Sequence, residues 1–326
     1  AASRQLLEQS VSSMANGQNI WRTLAMDELA LNHLRYGNRR QAENLMIECL
    51  AAADRTGNVM NGVLALCRLG ELALLECRYE DAEWLYSEAL VRSTRDGNRL
   101  PIAGIACIGL GRLNLERGEL NAAVERLEEG VCRIHRWGDT MAIEGYLQLA
   151  TAQSLQQKWS EAEAALQRAR EISHSFDATT IDDDLVELQQ VELWLAHGED
   201  LAANMWLNRQ AHAEHLTPET EEAPSLPAIY RVMTMAKVCL ANGKPGAALS
   251  LLAVRSTDAA ATLPQRILID LDLLEALAFH ALGRSHTAQT QFAQALAQAA
   301  TPGVIRPFLE HAGPALSALL ISAVQE

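Results

Sequence analysis

His212 and His215 lie three residues apart, close to one helical turn, a spacing at which two imidazoles could share a divalent cation. No third ligand follows at a usable spacing, and a solvated helix end beside an acidic stretch explains the pair without metal. Asp182-Asp183-Asp184 could also chelate a cation. Standing just ahead of an apolar-periodic run over 185–197, they are better read as complementing the positive end of a helix dipole. Gly243-Lys244 lacks the rest of a phosphate-binding loop, and Gly109-Leu110-Gly111 lacks the third glycine of a dinucleotide site. Neither a G-x-S-x-G elbow nor an H-E-x-x-H pair occurs. Cys49, Cys67, Cys77, Cys107, Cys132 and Cys239 form no C-x-x-C pair and read as reduced, mostly buried thiols of a cytoplasmic protein. These absences predict a non-enzymatic chain, with no metal and no cofactor of its own.

The elements are helical by composition. Of 326 residues, 49% are hydrophobic, enough for a sizeable core, and only 9 are proline. Aromatics at 5% argue against a sandwich or barrel. A net charge of −14 repels phosphate backbones, so no direct nucleic-acid contact is expected. No run of apolar residues is long enough for a membrane span. The chain opens Ala1-Ala2-Ser3 without Met or a signal sequence, as a piece cut from a longer polypeptide would.

Internal periodicity decides the architecture. Gly37, Gly118, Gly198, Gly243 and Gly283 each precede an alanine by five residues, and Cys77 and Gln157 keep the same frame without glycine. The marker alanines are Ala42, Ala82, Ala123, Ala162, Ala203, Ala248 and Ala288, spaced by 40, 41, 39, 41, 45 and 40. Four residues on stands a large apolar residue: Met46, Tyr86, Leu127, Leu166, Leu207, Leu252 or Phe292. Twelve before it, a small residue recurs in most copies, as Ala30, Gly70 and Gly111. Small residues at fixed places let two helices approach, and a large one fills the gap between units. Trp84, Trp159 and Trp206 fall near second-helix packing positions and are expected in the core.

The prediction is an all-α, right-handed superhelical solenoid of about seven helix-turn-helix repeats in a single domain. Residues 1–19 form an N-terminal helix and cap, 20–300 the seven pairs, and 301–326 a C-terminal capping helix interrupted at Gly313-Pro314. Three prolines and three glutamates make 215–228 a loop. On the concave face, first-helix residues 18, 15, 11 and 7 before each marker alanine point inward. Charged and polar members of that face are Asp27, Glu71, Arg112, Glu144, Gln148, Thr151, Glu192, Tyr230 and Lys237. They are interleaved with Leu64, Ile105, Ile108, Leu147 and Met233. Such a mixture suits a groove that binds something. An excess of carboxylates there favours a polar, hydroxyl-rich or cationic ligand, with Gln148 and Thr151 as orientable hydrogen-bonding groups.

The column pattern resembles the tetratricopeptide repeat over residues 20 to about 300, with a period nearer 40 than the usual 34 or so; helices about a turn longer absorb the difference. Two runs carry a closer resemblance. One extends from Leu193 to Leu207. The other extends from Pro302 to Leu320, where Ile305-Arg306-Pro307-Phe308-Leu309 and Gly313-Pro314-Ala315-Leu316 are most specific. Both look like the sensor region of MalT-like, ATP-dependent LuxR-family transcriptional activators. That resemblance implies a non-catalytic effector-sensing domain that meets a small-molecule inducer or a regulatory protein. It implies ATP on a separate NTPase domain, self-association of the full-length protein, and DNA contact through a separate helix-turn-helix. A tetratricopeptide scaffold binding a peptide or protein in its groove, with no small ligand, is the alternative.

Overall fold

A computed structural model describes residues 2–13, 20–95, 97–134, 141–175, 180–213, 225–253 and 263–325. After α1 (Ala2–Ser13) come seven helix pairs: α2 (Ile20–Arg35) with α3 (Arg39–Thr56), α4 (Val59–Leu75) with α5 (Tyr79–Arg92), α6 (Ala103–Glu116) with α7 (Leu120–Ile134), α8 (Ala142–Leu155) with α9 (Trp159–Ser175), α10 (Thr180–His197) with α11 (Asp200–Ala213), α12 (Leu226–Ala241) with α13 (Pro245–Leu252), and α14 (Gln265–Ala281) with α15 (Ser285–Ala300). Two helices follow, α16 (Arg306–Glu310) and α17 (Pro314–Gln325). The all-α solenoid of tetratricopeptide-like pairs is therefore present. One small departure lies between α5 and α6, where β1 (Thr94–Arg95) pairs with β2 (Asn98–Arg99) around Gly97 at φ 78°. Asp96-Gly97 is a strong two-residue hairpin signal that the helical frame passes over.

All seven marker alanines have no exposed surface. The large residue four positions on is buried in every pair except the fifth, where Leu207 is only half-buried and Trp206 fills the gap instead. Trp84 departs from expectation. It is 63% exposed, because it stands two residues after Ala82, away from the seam that buries Ala82, Tyr86 and Ala89. Trp159 is half-buried against the His197 ring, 4.8 Å away. Among the cysteines Cys132 alone is exposed, and all six are unpaired.

Glycine earns its place where helices meet. A Cβ at Gly111 would stand 2.6 Å from Leu127 Cγ, and one at Gly109 would overlap the Tyr86 ring. At the turns, the five marker glycines take φ between 65° and 81°. Cys77 and Gln157 adopt the same left-handed backbone, at 55° and 59°, although each carries a Cβ that resists it. The turn geometry is thus imposed by the packing of the pair, and glycine only relieves it.

Three boundaries shift from their predicted places. The helix expected to begin at 185 starts at Thr180, so Asp182 and Asp183 lie in its first turn. The loop predicted over 215–228 ends sooner. Ser225 caps α12 by accepting from the Ala228 amide, and Pro227 sits in the first turn, where its missing N–H costs nothing. Residues 214–224, with His215, and the side chain of His212 lie outside the described residues. The C-terminal cap is two helices, not one, separated at 311–313.

The superhelix returns on itself. Ile267, Leu271 and Leu274 of α14 share a core with Leu72 and Leu75 of α4, while Ile269 shares another with Val63 and Leu66. Arg266 Nε donates to Glu116 Oε2 at 2.6 Å across 150 residues of sequence, and the Ile305 amide donates to the Glu116 carbonyl at 2.8 Å. α17 covers the open end, burying Leu316 and Leu319 against Leu273, Ala276 and Phe292.

Candidate functional site

Closure shapes a partly open cavity of about 910 Å³, walled by the first helix of every pair and by α16. In the third to sixth pairs, every residue 18, 15, 11 and 7 before the marker alanine faces it, from Ile105 through Ala241. Of the predicted polar residues, Glu71, Arg112, Glu144, Gln148, Thr151, Glu192, Tyr230 and Lys237 line the cavity. Asp27 does not line it; its carboxylate lies 3.6 Å from Arg68, which does. Leu64 is likewise absent from the wall, its place one turn on taken by Cys67.

These side chains pair with one another around the wall. Arg112 lies 3.4 Å from Glu144 and 3.9 Å from Glu71. Gln148 donates to Glu144 at 2.8 Å and accepts from Arg306 at 3.0 Å. Lys237 and Thr234 donate to the two oxygens of Glu192, at 3.0 and 2.8 Å. Thr151 donates to the Leu147 carbonyl at 3.2 Å. Gln148 and the Thr151 proton are therefore already engaged, unlike the free, orientable groups the sequence suggests.

Glu116 is the hub. One oxygen accepts from Arg266 Nε and, at 3.2 Å, from the Tyr79 hydroxyl; the other accepts from Arg306 at 3.2 Å. Arg266 also lies 2.6 Å from Asp270, and Arg306 donates to Glu310 at 2.6 Å. Burial alone pushes the Glu116 and Glu310 carboxyls up. Arg266 and Arg306 around Glu116, and Arg306 and Lys237 around Glu310, outweigh it and hold both below the usual range. At Asp27 burial outweighs Arg68, and at Asp270 it outweighs Arg266 and Lys237, so both carboxyls are raised. Burial also pushes the Tyr230 hydroxyl up to about 12.

Arg68, Glu116, Arg266, Asp270, Arg306, Glu310 and His311 thus belong to the wall without having been singled out. Glu116 and Asp270 fall on the inward row, seven and eighteen before Ala123 and Ala288. Arg306, Glu310 and His311 lie beyond the last repeat, where no frame reaches. Arg35, Arg68, Arg266 and Arg306 join the wall together with Glu28, Glu116, Asp182, Asp270 and Glu310, so the lining holds eight carboxylates and six cations and keeps the small acidic excess of the predicted row. Among the described residues no group of three potential ligands could hold a metal ion, and no helix is long and apolar enough to cross a membrane.

A superhelix of tetratricopeptide-like pairs with this C-terminal run is what the family comparison recognises: the MalT-like TPR region matches residues 2–326, and the chain belongs to that family. No curated protein matches its sequence. Among solved structures, phAimR with its ligand is 11% identical, covers 97% of this chain and 87% of its own, and superposes with a TM-score of 0.57. A tetratricopeptide repeat protein from Parabacteroides merdae is 14% identical, covering 93% of this chain and 98% of its own, with a TM-score of 0.49. At such identities the likeness to phAimR is one of fold.

Proposed function

We propose that this domain is the effector-sensing and interaction part of a bacterial transcriptional activator, without catalytic activity of its own, and that a small polar inducer occupies its cavity. The observation that carries this reading is the cavity of about 910 Å³. Its size lies within the roughly 300–1,000 Å³ of small-molecule sites, and it mixes apolar lining with convergent charged groups, as such sites do. Family membership supports the regulatory context. ATP would sit on a separate NTPase domain of the full-length protein, with self-association and DNA contact also lying outside this segment.

The test is a thermal-shift screen of metabolites against the domain, since a ligand at 100 times its Kd stabilises by about 2.7 kcal/mol. Arg112→Ala and Glu192→Ala, made separately in the full-length protein, are expected to weaken binding of a hit while leaving the protein folded. Unaltered affinity in both variants would move the site elsewhere. A second reading, a peptide or regulatory protein in the groove, is favoured by one observation: the wall already holds a stretch of its own chain, α16, through Glu116, Gln148 and Lys237.

A further inference from the structure

Residues 304–312 form a strap between two fixed points. Before it, α15 ends at Ala300; after it, α17 is anchored on Phe292 and Leu273. Glycines bracket the strap. Gly303 stands at φ 74° with open space around it, and only the His311 carbonyl, at 3.9 Å, comes near a Cβ placed at Gly313. On its outer side Phe308 rests edge-on against Phe292, ring centres 6.3 Å apart. At its start the strap is pinned by the Ile305 amide on the Glu116 carbonyl, at 2.8 Å, and by the buried Val304; from there on, toward the cavity, two charges hold it. Arg306 reaches Glu116 on α6 and Gln148 on α8, and Glu310 lies 3.9 Å from Lys237 on α12. Every one of those outward bonds ends on a group of the cavity wall.

We propose that this strap is a detachable clasp whose seating is coupled to occupancy of the cavity. A bound molecule that engages Gln148 or Lys237 withdraws one of the three wall groups that hold Arg306 and Glu310, and the balance shifts toward release of the clasp. Gln148 has one amide oxygen, and Arg306 uses it. Lys237 is already shared between Glu192 and Glu310 at 3.0 and 3.9 Å, so a further acceptor competes first with the longer pair. Release also removes one of the two guanidinium groups from Glu116, which ties α6 to α14. Loss of the clasp therefore loosens ring closure. Because binding couplings are reciprocal, whatever frees the strap through the wall must also alter the wall when the strap is freed.

The proposal rests on the reading of the cavity as an effector site, but its test needs no effector. Hydrogen exchange is measured by mass spectrometry on the free protein and on Gln148→Ala, Lys237→Gln and Arg306→Gln. Amides of 304–312 are expected to exchange about tenfold faster or more in the two wall variants, with α9 unchanged. In Arg306→Gln, exchange should rise in α8 and α12, and Arg306→Lys should restore part of the protection. Equal protection of the strap in wild type and both wall variants overturns the clasp. So does faster exchange in α9 to the same degree, which marks general loosening. A metabolite that binds yet leaves strap exchange unchanged defeats the clasp and spares the effector reading. A responsive strap with no metabolite bound in the screen does the reverse.

Discussion

Gln157 is exposed and carries a side chain where five of its six counterparts at the other turns have glycine. The left-handed backbone costs a residue with a Cβ about 1–2 kcal/mol, partly offset by the extra freedom glycine gains on unfolding. Gln157→Gly is therefore expected to stabilise the protein by about 0.5–1 kcal/mol, read as a raised melting midpoint. Cys77→Gly should gain less, since it also empties a buried thiol site. A second residue-scale effect concerns His311. Burial, and then the nearby Lys237, push its imidazole from the ordinary 6.5 down to about 3; Glu310 opposes this and Arg266 adds to it. Unfolded, the ring takes a proton below about 6.5; folded, it stays neutral until about 3. Its contribution is present at neutral pH and is lost progressively as pH falls through that window. The melting midpoint of His311→Gln should thus fall less than wild type between pH 7 and 5. The depressed carboxyls of Glu116 and Glu310 act only at lower pH, and the raised Asp27 and Asp270 are common to both proteins. Equal slopes would mean that His311 meets solvent.

Within a helix pair, packing is close enough that volume governs. Gly111 on α6 faces Leu127 on α7, and Gly111→Leu should cost about 1–3 kcal/mol by overpacking, measured by urea denaturation. An unchanged midpoint would mean α6 and α7 can separate freely. This level of organisation is the one most legible in the sequence. Small and large columns repeat because each pair solves the same packing problem, so the frame running from Ala42 to Ala288 also fixes which first-helix residues face inward. It fails where a local competitor intervenes, as at Trp206, whose larger ring takes the position expected for Leu207. It also fails where no repeat exists. Nothing in the spacing of Arg306 or Glu310 relates them to Glu116 or Lys237, because those bonds depend on how far the superhelix turns over seven pairs. That angle accumulates from small rotations that no single residue reports.

At the scale of the molecule, Glu116 joins the third pair to the seventh and to the strap. Glu116→Gln leaves Arg266 and Arg306 without their shared carboxylate, and removing one partner of a buried network costs about 3–5 kcal/mol. Wild type is expected to unfold in urea as one transition, coincident by circular dichroism and tryptophan fluorescence. The variant should show separated transitions or a reduced slope, as its ends unfold apart. Coincident transitions of unchanged slope in the variant would assign closure to the apolar contacts of α4 with α14 alone.

The bond from Arg266 to Glu116 has a further consequence, for how such a chain can change over generations. An open solenoid tolerates duplication or loss of a unit, because each unit touches only its neighbours. Here Arg266 meets Glu116 only after the intervening pairs have carried the chain through one particular rotation. Deleting one pair would bring a different face of the sixth or seventh unit opposite α6. Inserting one would carry Arg266 past it. In either case Glu116 would lose both of its guanidinium partners in a low-dielectric interior, while Arg266 and Arg306 would keep only Asp270 and Glu310. Variation in the number of units, the easiest change open to repeat proteins, is therefore denied to this one between its third and seventh pairs, and diversification there must proceed by substitution along the wall.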